Sequence, residues 1–335
     1  MMSMDSSPVR IIFRAARVAE AAPPYDTLHL QVFYPAEGPQ RSQGRSQGPS
    51  QAVDERRSPF PVVLFMNGIN CEPCLYRWLA MGLAERGLVV VTFSWVGENL
   101  PGLVGLTPGV TLEALRPQVY GTQATAAAVP TLLSALEQLQ EDSVLAGHLD
   151  LDRIVFGGHS AGGRVAIESA SPEFFPQVKA AFSYGSHMAA VQQLGYDPGT
   201  ILPLPDRLPL LLMGGTQDGV IGKNGQQYGV RWDTPITPVV RTFDEAIAGG
   251  RDDSYLVLLD GANHFTIAHP FQAIGAVLDL DEPTRVPQSP RREIMVEAIA
   301  LFLTAHLGLE HLGLGQGDLR TYAQQQKAIA QFAVK

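Results

Sequence analysis

The rhythm of apolar and polar positions changes along this chain, and the changes mark its elements. Residues 9–34 alternate and predict two or three antiparallel strands, with Leu28-His29-Leu30-Gln31-Val32-Phe33-Tyr34 the clearest. Further on, short continuous apolar runs take over. Residues 61–66 and 88–94 read as strands buried on both faces. Between them, residues 75–86 read as a helix ended by Gly87. Residues 154–156, 178–184, 209–213 and 255–259 predict four more short strands, and 161–169 and 291–307 two more helices. Residues 119–139 also read as a helix, with Pro130 near the middle implying a kink or a break. The Gly- and Pro-rich stretch 97–118 reads as a long loop, and the polar residues from about Gly308 as a loosely attached helix. Strands alternating with helices predict an α/β fold, with a mainly parallel central sheet, helices on both faces and antiparallel strands at the N-terminal end.

Composition narrows this picture. The 335 residues, 45% hydrophobic and 17% charged, suffice for one large core, and residues 1–335 are read as a single domain. Residues 36–58 include Arg41-Ser42-Gln43-Gly44-Arg45-Ser46-Gln47-Gly48, which buries little and predicts a flexible surface loop. The net charge of -9, with no basic stripe, argues against a nucleic-acid partner. Met1 to Arg17 holds no signal-like apolar run, and no apolar stretch is long enough for a membrane span. With two cysteines and no disulfide framework, the expected location is cytoplasmic. Nothing in the sequence fixes an oligomeric state.

The candidate chemistry centres on Gly158-His159-Ser160-Ala161-Gly162, between a buried strand and a helix of small residues. This is the nucleophile-elbow pattern Gly-x-Ser-x-Gly, a sharp turn that holds a serine hydroxyl above the end of a sheet. A serine needs a base to take its proton. His264 lies in a glycine-containing loop after the last predicted strand, in Gly261-Ala262-Asn263-His264-Phe265, and His269 is its nearest rival. An acid must orient that imidazole. Asp218 follows a strand and a glycine turn in Leu212-Met213-Gly214-Gly215-Thr216-Gln217-Asp218-Gly219, with Asp233 and Asp244 as alternatives and an ordinary Asp-Gly turn as the plainer reading.

Over roughly residues 10–307 these features resemble the α/β-hydrolase superfamily, whose catalytic triad runs in the order serine, acid, histidine. The Gly-His-Ser-x-Gly-Gly elbow and the histidine-phenylalanine context look closest to dienelactone hydrolase, cutinase-like and platelet-activating-factor-acetylhydrolase-like serine esterases. Chlorophyllases share a similar elbow. The resemblance implies an α/β-hydrolase fold and a carboxylesterase acting on a small-molecule ester through an acyl-enzyme. It implies Ser160 as nucleophile, His264 as base, Asp218 as acid, and no metal or organic cofactor. It also implies an oxyanion hole built from two main-chain N–H groups. One is that of Ala161 and the other comes from Asn67-Gly68-Ile69-Asn70, where Ile69 or Asn70 serves. Asn70, Trp95, His159 and Phe265 are candidate substrate contacts. Tyr228, Trp232 and Phe243, in the insertion 219–253, read either as a substrate clamp or as the core of a small cap. Cys71-Glu72-Pro73-Cys74 reads as two ordinary cysteines, with a local disulfide or redox pair as the alternative and half of a zinc site, lacking a second pair, as the last. A lipase, a polyester hydrolase and a non-catalytic binding protein on the same scaffold are the competing readings.

Overall fold

A computed structural model of the chain describes residues 8–38, 52–100, 102–270, 281–309 and 317–335. Most of the low-complexity loop, residues 39–51, and residues 310–316 of the polar tail lie outside the described residues.

The described residues form an α/β structure around a mixed ten-stranded sheet. Its strands are β1 (Val9–Arg17), β2 (Thr27–Pro35), β3 (Phe60–Met66), β4 (Val89–Leu100), β5 (Leu103–Leu106), β6 (Leu149–His159), β7 (Val178–Tyr184), β8 (Leu210–Gly215), β9 (Ser254–Leu259) and β10 (Ile329–Val334). The order is β1-β2-β4-β3-β6-β7-β8-β9-β10, with β5 paired to β4 alone. The six strands from β4 to β9 run parallel, while β1, β2 and β10 are antiparallel to their neighbours. Every residue of β3 is buried, as its unbroken apolar run requires of a strand covered on both faces. Leu64 of β3 lies opposite Val91 of β4 and Phe156 of β6.

Successive β3 side chains point to opposite faces and enter two separate cores. Val62 and Leu64 join the core under α2 (Val129–Glu141), α3 (Ser160–Glu168) and α5 (Thr237–Arg241). Val63 and Phe65 join the core under α1 (Arg77–Glu85), α6 (Ser289–Leu307) and α7 (Leu319–Gln325). Phe156 and Phe182, on adjacent strands, are fully enclosed, one in each core. Each such side chain contributes about 2–3 kcal/mol by burial.

Four local expectations need correction. Residues 97–100 and 103–106 are not loop: β4 continues to Leu100 and β5 pairs antiparallel to it, with Val96 opposite Leu106 and Gly97 opposite Gly105. The predicted 119–139 helix begins only at Val129, so Pro130 sits in its first turn, where a missing N–H costs nothing, and no kink arises. The tail supplies the short helix α7 but also β10, which borders β9. The 219–253 insertion folds as α4 (Gly219–Lys223), a 3-10 turn, α5 and a π turn. Its Val239 and Phe243 belong to the core below the sheet.

Candidate active site

β6 ends at His159 and α3 begins at Ser160, so one residue must reverse the chain. Ser160 does so at φ 55°, a left-handed conformation that side chains other than glycine rarely adopt. The flanking glycines are required by contact. A Cβ on Gly158 would lie 2.4 Å from the Gly162 carbonyl oxygen, and one on Gly162 would lie 2.3 Å from the carbonyl oxygens of Met66 and Asn67. The start of α3 is thereby pressed against the end of β3. Ser186 Oγ donates to the Ser160 carbonyl at 2.9 Å and holds the turn from the β7 side.

Asp218 and His264 reach the same end of the sheet from β8 and β9. Asp218 is the N-cap of α4, and its Oδ1 accepts the Ile221 N–H at 3.1 Å. Its other oxygen, Oδ2, accepts from Nδ1 of His264 at 2.8 Å. The two side chains are 0% and 2% exposed. A carboxylate oxygen accepts, so Nδ1 carries the ring proton and Nε2 is left as the acceptor. Burial by itself would push the imidazole down. The charge and hydrogen bond of Asp218, aided by the charge of Asp281, outweigh it and hold His264 above its ordinary value. Gly185, at φ 61°, lets the chain after β7 pass beneath this pair, since a Cβ there would lie 3.0 Å from His264 Nδ1 and 3.1 Å from Asp218 Oδ2.

His159 does not face a cleft. It is fully buried, and both ring nitrogens are engaged, which corrects its reading as a substrate contact. Nε2 lies 3.0 Å from the main-chain carbonyl of His264, which can only accept, so Nε2 carries the proton. Burial, with the neighbouring His264, keeps the His159 ring well below the usual imidazole range and therefore neutral. Nδ1 is thus an acceptor, and Tyr76 Oη donates to it at 2.9 Å. The same phenol oxygen accepts the Gly68 N–H at 3.1 Å. One chain of hydrogen bonds runs from the 67–70 loop through Tyr76 and His159 to the His264 loop.

That loop presents the Ile69 N–H and not the Asn70 N–H. Asn70, at φ 57°, donates its own N–H to the Leu106 carbonyl at 2.9 Å, and its Oδ1 accepts the Leu106 N–H at 3.1 Å. Asn70 is therefore a clip for β5. Among the described residues the Ile69 and Ala161 N–H groups have no acceptor, and Ile69 is 45% exposed. Ala161 lies in the first turn of α3, where N–H groups point out of the helix end.

The remaining candidates divide. Phe265 stands edge-on to the His264 ring at 5.2 Å and lines a groove of about 490 Å³ with Asn263, Asp281 and His269. Trp95 donates its Nε1–H to the Tyr25 carbonyl at 2.7 Å and packs against Gly109, so its polar edge is spent on the fold. Asp233, Asp244 and His269 are exposed, and it is Asp218 that meets the His264 ring. Cys71 is buried beside Gly68 and Cys74 is exposed, both free thiols. Burial raises the Cys71 thiol. Trp232 is buried and meets the edge of His187 at 6.2 Å, and Tyr228 does so at 4.8 Å.

The sequence reading missed Asp281, His187, Tyr184 and Ser186. Tyr184 Oη donates to the Asn263 carbonyl at 2.6 Å, directly before His264. Asp281 lies in an acidic stretch that reads as solvated surface, and no motif marks it. No helix among the described residues is long and apolar enough to cross a membrane. A comparison with models of known protein families finds no match to this chain, and a comparison with curated proteins finds none either.

Proposed function

We propose that this chain is a serine esterase of the α/β-hydrolase type that cleaves carboxylic esters through an acyl-enzyme. One observation carries the reading: a buried hydrogen bond of 2.8 Å joins Asp218 to the Nδ1 side of His264, at the sheet end where Ser160 is held in a left-handed turn. That bond leaves Nε2 of His264 to take the Ser160 proton as the hydroxyl attacks the ester carbonyl. The imidazolium so formed is stabilised by Asp218. The N–H groups of Ala161 and Ile69 stabilise the negative oxygen of the tetrahedral intermediate. His264 then protonates the leaving alcohol. Water, deprotonated by the same ring, releases the acid and restores Ser160. Every step uses protein groups and water.

Hydrolysis of p-nitrophenyl esters from acetyl to palmitoyl, by the native protein and by Ser160→Ala, tests this. Turnover lost in the variant is the expected result. Equal rates for the two proteins on every ester would discard the serine mechanism and favour a binding protein. A second reading, a lipase or polyester hydrolase acting on an apolar substrate, draws on the exposed Ile69, Val96 and Val104, 45%, 45% and 51% accessible, on the 67–70 loop and on the β4–β5 hairpin clipped to it by Asn70. Rates that rise with chain length would select it.

A further inference from the structure

Among the described residues, Asp281 is the one carboxylate that touches both the acid and the base loops through their main chains. Its Oδ1 accepts the N–H of Gly219, the residue after Asp218, at 3.0 Å and the N–H of His264 at 3.3 Å. The same oxygen accepts the Glu282 N–H at 3.0 Å, and Oδ2 accepts the Phe265 N–H at 3.4 Å. The segment that carries it is itself fastened to the histidine turn. Asn263 Nδ2 donates to the Glu282 carbonyl at 2.8 Å, and Thr266 Oγ1 donates to Gln288 Oε1 at 2.7 Å. The α4 end and the His264 turn come from different strands, β8 and β9. Ahead of them the Gln217 N–H donates to the Ala262 carbonyl and the Gly261 N–H to Thr216 Oγ1, both at 2.8 Å, and Asp281 carries this tie forward to Gly219 and His264 themselves.

We propose that Asp281 is a positioning residue for the Asp218–His264 pair. Its carboxylate fixes the peptide after the acid and the peptide of the base in one frame, and its charge stands as a second anion behind the imidazole. The proposal rests on the esterase reading only for the consequence in turnover. The coupling of Asp281 to His264 does not depend on it.

The surroundings leave these two anions as the charges that act on His264. Asp218 faces it from the β8 end and Asp281 from the segment ahead of α6. His159 from β6 and His187 from the chain after β7 are both kept neutral by burial. Tyr184 from β7 is a buried phenol held well above its usual range by burial, with Asp218 and Asp281 adding to the effect. Around Asp281 itself, burial raises the carboxyl, while His264 and the Gly219 and His264 amides oppose the rise. The neighbouring Glu282 is paired with Lys223 of α4 at 2.7 Å, and His269 and Arg292 line the same groove.

The test compares the native full chain, Asp281→Asn and Glu282→Gln. The His264 ring is titrated by NMR, and turnover of p-nitrophenyl acetate is measured across pH. In Asp281→Asn the ring is expected to titrate at lower pH than in the native protein, because an anion that favours the imidazolium is gone. The acid limb of kcat/KM should move the same way, and kcat should fall about tenfold to a hundredfold with little change in KM. Glu282→Gln should leave the ring where it was. Should Asp281→Asn not fold, Asp281→Ser keeps one acceptor for the amides and serves the same titration. An unmoved ring in the folded variant, with only a lower melting temperature, would overturn the proposal, as would an equal shift in Glu282→Gln. A native protein without turnover, with the ring shifted as expected, would remove the esterase reading and support the coupling.

Discussion

The ring of His159 donates its Nε2–H to the main-chain carbonyl of His264 at 3.0 Å. The residue before Ser160 therefore holds the loop that carries the candidate base, and the spacing of the two loops is set by one imidazole. His159→Phe keeps a planar ring but leaves the buried Tyr76 hydroxyl and the His264 carbonyl without this partner. A stability loss of about 2–4 kcal/mol in urea unfolding is expected, with at least a tenfold loss of ester turnover. His159→Gln, which can both donate and accept, should recover part of both.

The pH profile follows from His264. Only the neutral ring can accept a proton, and its folded-state value is held above the ordinary imidazole value of 6.5, because Asp218 and Asp281 outweigh the burial that lowers it. The acid limb of kcat/KM is expected above 6.5. The same raised value means that His264 contributes stability at low pH that is lost as pH rises through its folded value. A limb well below 6.5 would mean that another group controls the rate.

Acid sensitivity should come in part from His187. Burial, with Arg164 and His264 nearby, lowers it from 6.5 to about 3. It stays neutral in the fold while the unfolded chain takes up a proton. The contribution is full above 6.5 and lost as pH falls toward about 3. His187→Asn cannot titrate, and its carbonyl can accept the Ala189 N–H that His187 Nδ1 accepts at 3.2 Å. Urea midpoints across this range should fall less steeply for the variant, and parallel curves would contradict the assignment.

Gly162→Ala tests how tightly α3 is seated. The added carbon would come within 2.3 Å of two main-chain oxygens at the end of β3, so either α3 or the 67–70 loop must move. Loss of turnover by about a hundredfold or more is expected from displacing an oxyanion donor, together with a clear drop in melting temperature. Near-native activity would show that the loop yields freely.

The parallel strands were legible because strands covered on both faces are continuous apolar runs, as in β3. The hairpin of β4 and β5 was not, because Gly97, Gly102 and Gly105 give it the composition of a loop. β10 was hidden because Gln331 interrupts its short apolar stretch and the residues leading into it, Gln324-Gln325-Gln326-Lys327, are polar. At the site, Ser160, Asp218 and His264 stood out because each sits where a strand meets a glycine turn, and backbone geometry writes that into sequence. Asp281 works through main-chain amides 16 and 17 residues back and one in another strand's loop, 62 residues back, and such contacts leave no local pattern. Nor could the double engagement of His159 be read from its place as the variable residue of the turn.

β10 has a consequence for how the protein can be handled. It hydrogen-bonds along β9, the Asp260 N–H meets the Ala328 carbonyl at 2.8 Å, and Lys335 exchanges two main-chain bonds with Ser254. Lys335 Nζ also reaches the Phe243 and Asp244 carbonyls. Clipping the chain ahead of Ile329 would bare the hydrogen-bonding groups of Ser254–Leu259, a strand of mostly apolar side chains that leads directly to His264. An open strand of that kind recruits the same strand of another molecule. Cleavage ahead of Ile329 would thus act first on self-association.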